Sequence, residues 1–226
     1  MADTQTESLT EQFEALHAER VRTWAPEQLA SNVDRRRRLV ADFDPAKVIK
    51  PGDRVEAFTL ADADGDHVTL DRLLADGPAI LIFFRYAGCP ACNLALPYYE
   101  RNLWPHVAGS GTALVAISPH LPEKGLGAIR DRHGLRYTVA HDRDNSLARR
   151  FGITFDRDVV PEEPQSEGWI GELTGTGTAE FPQPAVIIID QQRIVRFADV
   201  SPDWLVRTEA PPILEALRHI KINAPA

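Results

Sequence analysis

The chain has 226 residues, 43% of them hydrophobic and 26% charged, with a formal net charge of −8. That length suits one sizeable core, or one core with an appended element, and the acidic balance argues against a nucleic-acid partner, which would want a basic face. The start, "MADTQTESLTEQFEALHAER", has no basic n-region and no apolar h-region, and the longest apolar runs, such as "AVIII", are far too short to span a bilayer; the sequence therefore reads as cytoplasmic, with no membrane partner.

From Ser8 to about Phe43 the pattern is helical. Leu9, Phe13, Leu16 and Val21 recur at roughly helical spacing, and "APEQLASNVDRRRRLVADFDP" reads as a second helix with Pro26 in its first turn and Pro45 past its end. Residues 1–46 are thus expected to form a helical extension, and the basic run Arg35 to Arg38 a solvated face of it. From Asp53 the character changes. "RVEAFTL", "ADADGD" and "HVTL" read as a strand, an Asp/Gly turn and a strand, followed by a short helix in "LDRLLAD". "AILIFF" is a continuous apolar run, the signature of a strand buried on both faces. Pro90 to about His106 reads as helix, with Pro97 expected to kink it or start a new segment. "TALVAIS" is the next buried strand; Lys124 to His133 is a helix stopped by Gly134; "YTVAHD" is a short strand and "NSLARRFG" a helix. "PAVIIID" and "RIVRFADV" pair across a turn, and "TEAPPILEALRHI" closes the chain as a helix. Strands alternating with helices give an α/β fold with a central mixed sheet over 47–226, the last pair adding an antiparallel edge. Between Phe155 and Phe181 the Pro-, Gly- and acid-rich sequence predicts an irregular insertion.

The only two cysteines, Cys89 and Cys92, stand in "LIFFRYAGCPACN". In a reducing compartment such a pair is more often catalytic or metal-binding than structural. The order of strand, Cys-Pro-Ala-Cys and helix puts Cys89 at the helix N-cap and Pro90 at the first helical position, where its missing N–H costs nothing. A helix N-terminus carries partial positive charge and free N–H groups that stabilise a thiolate. Cys89 is therefore expected to be exposed and nucleophilic, and Cys92, one turn on, to lie deeper as the resolving thiol. Arg85 is expected to add positive potential or hold a substrate oxygen. A zinc finger would need a second histidine three to five residues after His106, but the next is His120, beyond an apparent buried strand, so no metal site is expected. "GLGAIR" holds only part of a dinucleotide fingerprint and does not directly follow a strand. In "EFPQPAVIIID", Gln183 and Pro184 stand directly before a buried strand, where a proline belongs at the first residue.

These residues resemble a known family. The dithiol at a strand-to-helix junction, with a proline before a later strand, resembles the thioredoxin fold. "FFRYAGCPACNLAL", Pro182 to Asp190, and Asp203 to Arg207 are similar to the F-[YF]-R-G-x-W-C-P-x-C-x-x-E-L, P-x-P-A-x-x-V-I-D and D-[YW]-x-x-R stretches of the peroxiredoxin-like branch of the AhpC/TSA family. The resemblance covers about residues 50 to 220. It implies that Pro184 is cis and faces the dithiol. Two departures stand out. In the peroxiredoxin pattern P-x-x-x-[TS]-x-x-C a hydroxyl stands three residues before the cysteine; here Tyr86 stands there, and Ile82 replaces the proline. The thioredoxin carboxylate six residues before the first cysteine is replaced by Phe83.

The chemistry expected is thiol redox catalysis. The Cys89 thiolate attacks a hydroperoxide or a disulfide, Cys92 resolves the intermediate, and an external thiol reductant such as a thioredoxin or glutaredoxin system restores the dithiol. No cofactor is expected. The site-shaping residues are Arg85, Tyr86, Pro90, Gln183 and Pro184. Cys-Pro-x-Cys predicts a potential above thioredoxin's about −270 mV. Two other readings compete: a redox-sensing or binding module whose dithiol switches a surface with little turnover, and a scaffold with vestigial cysteines. A homodimer is also expected, because AhpC/TSA-like proteins often associate and an amphipathic N-terminal arm suits packing on a neighbour.

Overall fold

The computed structural model describes residues 7–156 and 169–222. Two helices lead: α1 (Leu9–Thr23), with the Ser8 hydroxyl accepting from the Glu11 N–H as its cap, and α2 (Pro26–Ala41), with Pro26 at its first position. A hairpin follows, β1 (Thr59–Asp62) and β2 (His67–Thr69), running into the short α3 (Leu70–Leu73). The expected first strand was longer. Residues 54–58 instead cross to the far edge of the sheet, where Val55 N–H bonds to Arg193 O and Arg54 bridges Ile194.

The sheet core is β3 (Ala79–Phe83), every residue of which is buried. Then come α4 (Pro90–Asn102), α5 (Trp104–Val107), β4 (Ala113–Ser118), α6 (Ala128–His133), β5 (Thr138–His141) and α7 (Ser146–Arg150). Pro97 does not break α4. The break falls at Leu103 (φ −116°), and Pro105 sits in the first turn of α5, where its missing N–H needs no partner. The helix expected from Lys124 is likewise shorter, since Gly125 at φ +98° closes a 3₁₀ turn before α6 begins. β6 (Thr154–Asp156), α8 (Ile170–Thr174), β7 (Glu180–Pro182), β8 (Ala185–Ile189), β9 (Val195–Val200) and α9 (Ala210–Ile222) complete the chain. The expected irregular insertion thus has an ordered neck: Phe155 pairs with Phe181 in a two-stranded antiparallel sheet, while residues 157–168 lie outside the described residues.

The main sheet runs β2-β1-β5-β4-β3-β8-β9, with β3, β4 and β5 parallel and the other pairs antiparallel. The expected mixed sheet flanked by helices is therefore present. Period-two alternation splits β3 between two buried clusters: Ile80 and Ile82 join one, and Ala79, Leu81 and Phe83 the other. Burying each such aliphatic side chain is worth roughly 1.5–3 kcal/mol.

The first cluster also takes in Leu9 and Phe13 of α1. Glu209, at the start of α9, accepts from the Leu9 and Thr10 N–H groups at 3.1 and 2.9 Å, satisfying free donors of α1, and from the Tyr98 hydroxyl of α4 at 2.6 Å. Arg36 of α2 makes a two-pronged contact with Asp203, both bonds 2.7 Å. The helical extension is thus stitched onto the core at both of its helices.

Candidate active site

The site lies at the C-terminal ends of β3 and β4, where open α/β sheets place their ligands. The loop from Phe84 to Gly88 is braced from β4. Phe84 N–H bonds to Ile117 O, and the Ser118 hydroxyl donates to Arg85 O at 2.9 Å. His120 Nδ1 accepts the Ala87 N–H at 3.1 Å, and its Nε2 donates to Lys124 O at 3.1 Å, so neither ring nitrogen is open to a metal. Asn93 closes the loop from the other side, donating to Ala87 O and Cys89 O, both at 2.8 Å.

Cys89 is the N-cap of α4, Pro90 its first residue and Cys92 one turn on. Both thiols are free, and both are buried, Cys89 at 1% exposure and Cys92 at 0%. This corrects the expectation of an exposed Cys89. The sulfurs belong to the same apolar cluster as Phe13 of α1, Phe181 of β7 and Trp204, three residues far apart in the chain that fold over this end of the sheet. Pro90 itself is exposed, and Tyr86 is half-buried and stacked on Phe181 with ring centroids 5.5 Å apart.

The two thiols are electrostatically unlike. A hydrogen bond from Cys92 pulls the Cys89 thiol from the usual 9.0 down to about 5, against the effect of burial and with help from the charges of Arg85 and Arg207. Cys92 moves the opposite way, raised by burial first and then by its bond to Cys89 and the charge there. Near neutral pH the arrangement holds a thiolate at Cys89 and a protonated donor at Cys92, which is what a nucleophile and its resolving partner require.

Three arginines supply the positive field. Arg85 is sandwiched between aromatic faces, its Cζ 4.8 Å from the Phe181 and Trp204 ring centroids and 5.7 Å from that of Tyr86. Arg207 lies 5.6 Å from the Phe13 ring. Arg20 of α1 rests on Trp24 at 4.8 Å and within the field of both Cys89 and Arg85. Pro184 and Arg207 line, with Cys92, Tyr99 and Ser201, a cavity of about 10 Å³, the size that holds a single water. Pro184 is trans, as are all described peptide bonds, which corrects the cis bond implied by the resemblance. Gln183 N–H is bonded to Ile153 O at 2.6 Å and Pro184 O to Ser201 N–H at 2.8 Å, so the chain stays extended from β7 into β8 and takes the isomer that X–Pro bonds favour.

The structure therefore brings Cys89, Cys92, Arg85, Tyr86 and Pro184 to one end of the sheet, with Gln183 buried between β7 and β8. It adds Arg20, Arg207, Phe181, Trp204, His120 and Asn93, which sequence reasoning did not select. Arg207 had a signal, as the last residue of the D-[YW]-x-x-R stretch. Arg20 had none, because nothing local shows where α1 packs.

The profile of the AhpC/TSA family matches residues 51–198. The chain belongs to the AhpC/TSA family. Among similar proteins, one of Mycobacterium tuberculosis named as a peroxiredoxin is 36% identical over 120 residues, covering 52% of this chain and 73% of its own. The thiol-disulfide oxidoreductase ResA of Halalkalibacterium halodurans is 24% identical over 111 residues, 49% of this chain and 61% of that one. The crystal structure of peroxidoxin BcpB from Mycobacterium tuberculosis superposes with a TM-score of 0.60 at 21% identity, covering 78% of this chain and 99% of that one, and so shares the fold. An AhpC/TSA member with this thiol pair is a thiol-dependent oxidoreductase of the peroxiredoxin-like kind.

Proposed function

We propose that the protein reduces hydroperoxides through Cys89, with Cys92 as the resolving thiol. The Cys89 thiolate attacks the distal oxygen of ROOH; the O–O bond breaks, an S–O bond forms, and RO⁻ leaves to take up a proton. The resulting Cys89 sulfenic acid condenses with the Cys92 thiol, forming the S–S bond and releasing water. An external dithiol of the thioredoxin type then reduces the disulfide by exchange. The observation that carries this reading is the polarity of the pair, with a low-lying thiol at the N-cap of α4 receiving a hydrogen bond from a high-lying one. Arg85 and Arg207 stabilise the thiolate, and Pro184 walls the resolving side. Such a cycle suits the reducing cytoplasm, where a dithiol donor is present.

The test is stopped-flow oxidation of the reduced protein by hydrogen peroxide, cumene hydroperoxide and a model disulfide. Fast oxidation by a peroxide, loss of it in Cys89→Ser by a factor on the order of 10³ or more, and a trappable sulfenic acid in Cys92→Ser are expected. Reaction with the disulfide alone would make the protein a disulfide reductase instead.

A further inference from the structure

Every buried carboxylate among the described residues meets an arginine or the N–H groups of a helix start. Glu100 holds Arg136, Glu180 holds Arg149 and Asp190 holds Arg196, while Asp142 accepts from the Leu147 and Ala148 N–H groups. Asp199, half-buried, does neither among the described residues. It stands on β9 opposite Val186, and its neighbours Ala198 and Val200 pack on the cysteine-free face of the sheet, so period-two alternation turns Asp199 to the face that holds the thiols. There its Oδ2 accepts from the Thr208 hydroxyl at 2.8 Å. Thr208, 6% exposed, lines the single-water cavity beside Cys92 together with Ser201 and Arg207. Nη2 of Arg207 is buried without a hydrogen-bond partner. A buried water is held by about two to four polar groups, and this wall offers the Cys92 thiol, two hydroxyls and a guanidinium.

Cys92 needs a route for its proton. Its thiol is fully buried, that burial makes the proton hard to lose, and the proton must nevertheless leave as the sulfur bonds to Cys89. In the reduced pair the proton is engaged with the Cys89 thiolate. Once Cys89 is a sulfenic acid that negative charge is gone, and the S–H is released to turn toward the cavity. We propose that a water in this cavity carries the proton from Cys92 to the Thr208 hydroxyl, and that Asp199 passes it on to solvent. The relay rests on the reading of Cys92 as the resolving thiol and deepens it. In the oxidising half-cycle Cys92 gives its proton to the water, the water gives one to Thr208 Oγ1, and Thr208 gives its own to Asp199. The Cys92 thiolate attacks Cys89 Sγ, the S–S bond forms, the S–O bond breaks, and hydroxide leaves to take up a proton, so the products are one disulfide and one water. In the reducing half-cycle the external thiolate attacks Cys89 Sγ, the S–S bond breaks, and Cys92 departs with the electron pair and takes a proton back along the same path. Arg207 steadies the transient Cys92 thiolate by its charge. Asp199 acts through Thr208 and is a positioning residue of the proton path.

Stopped-flow mixing of the reduced protein with hydrogen peroxide separates the steps. A first phase that scales with peroxide reports the sulfenic acid, and a second that does not reports the disulfide. Asp199→Asn should slow the second phase by about a hundredfold, the lower end of general acid–base effects, while the first keeps its rate. The slowed phase should speed up as pH rises and hydroxide replaces the relay, where the wild-type phase stays flat. Thr208→Val, which keeps the shape and removes the hydroxyl, should match Asp199→Asn, and Thr208→Ser should restore most of the rate. Reduction of the disulfide form by dithiothreitol should be slowed in the same variants; that arm uses no peroxide and tests the relay independently of the peroxidase reading. A second phase and a reduction rate unchanged in Asp199→Asn and Thr208→Val overturn the relay and leave the dithiol cycle standing. Equal slowing of both phases with an unaltered pH profile assigns Asp199 to packing and overturns it as well. Absence of a disulfide in peroxide-treated wild-type protein sinks the resolving role of Cys92, and the relay with it. Should Thr208→Val fail to fold, Asp199→Asn and its pH profile decide.

Discussion

The two faces of the central sheet are built from the same strands and put to different uses. On one face Leu81, Phe83, Val115, Ile117 and Ile187 pack with Leu70, Leu147 and Phe151 into a cluster that holds no cysteine. On the other, Ile80, Ile82, Ala116 and Val186 pack against α4 and α1, and this second cluster holds both thiols, with Tyr98, Tyr99 and Trp204 beside them. Neighbouring residues of β3 thus serve different ends. The plain face supplies stability, and the other spends some on groups that packing alone would not select: a thiolate and three guanidiniums that meet no carboxylate among the described residues. Rigid hydrophobic packing on one side lets the other carry chemistry at fixed positions.

Substitutions on the two faces should separate stability from reactivity. The largest effect is expected on the plain face. Leu81→Ala, at a fully buried position, should lose about 2–5 kcal/mol in denaturant unfolding while the pH midpoint of Cys89 alkylation stays in place; a shifted midpoint would mean that the faces are coupled.

The next effect belongs to the thiol face. Removing the Arg207 charge withdraws support from the Cys89 thiolate, so in Arg207→Gln the midpoint of alkylation against pH should climb from about 5 toward the ordinary 9.0, by about one unit or more. An unmoved midpoint would leave the hydrogen bond from Cys92 as sufficient. The same shift has a stability consequence. Because the folded value lies below the unfolded one, the stabilisation from ionising Cys89 is full above pH 9 and is lost as pH falls toward 5. Arg207→Gln should narrow that window from below.

A smaller dependence of the same sign, at lower pH, comes from His120. Burial lowers its value below 6.5, and its Nδ1 must stay unprotonated to accept the Ala87 N–H. The folded state therefore binds this proton less readily than the unfolded state, and stability should fall as pH drops through 6.5 toward the lower folded value. His141 and His133, also lowered by burial, act in the same direction. His120→Gln should flatten part of this acid limb in thermal melts; an unchanged limb would assign it to the other two. The least effect is expected at the surface. Asp34→Asn breaks only the exposed pair with Arg38 on α2 and should cost below about 0.5 kcal/mol.

Much of the fold was legible because the apolar patterns are local. "AILIFF", "TALVAIS" and "PAVIIID" are continuous apolar runs that can only be interior strands, and Pro26, Pro90 and Gly134 mark helix ends through their own backbone limits. Where local signals competed, the sequence misled. The apolar residues of 54–58 look like a strand but pair with the far sheet edge. Gly125 split an apparent helix, and Pro97 sits inside α4 without ending it. The trans bond at Pro184 was decided by partners from Ile153 and Ser201, neither of which is near it in sequence.

For the site, the sequence by itself determined the reactive pair and its order. Cys89 before Pro90 at a helix start, with Cys92 one turn later, fixes which sulfur meets the helix N-terminus, since helix geometry is a property of neighbouring residues. Only the tertiary structure decided what surrounds that pair. Arg20, Arg85 and Arg207 come together because α1, the end of β3 and the stretch after β9 pack over one end of the sheet, and the burial of Cys89 follows from the same closure. Electrostatic potential depends on distances in space, and those are set by which apolar faces bury against each other across the whole chain.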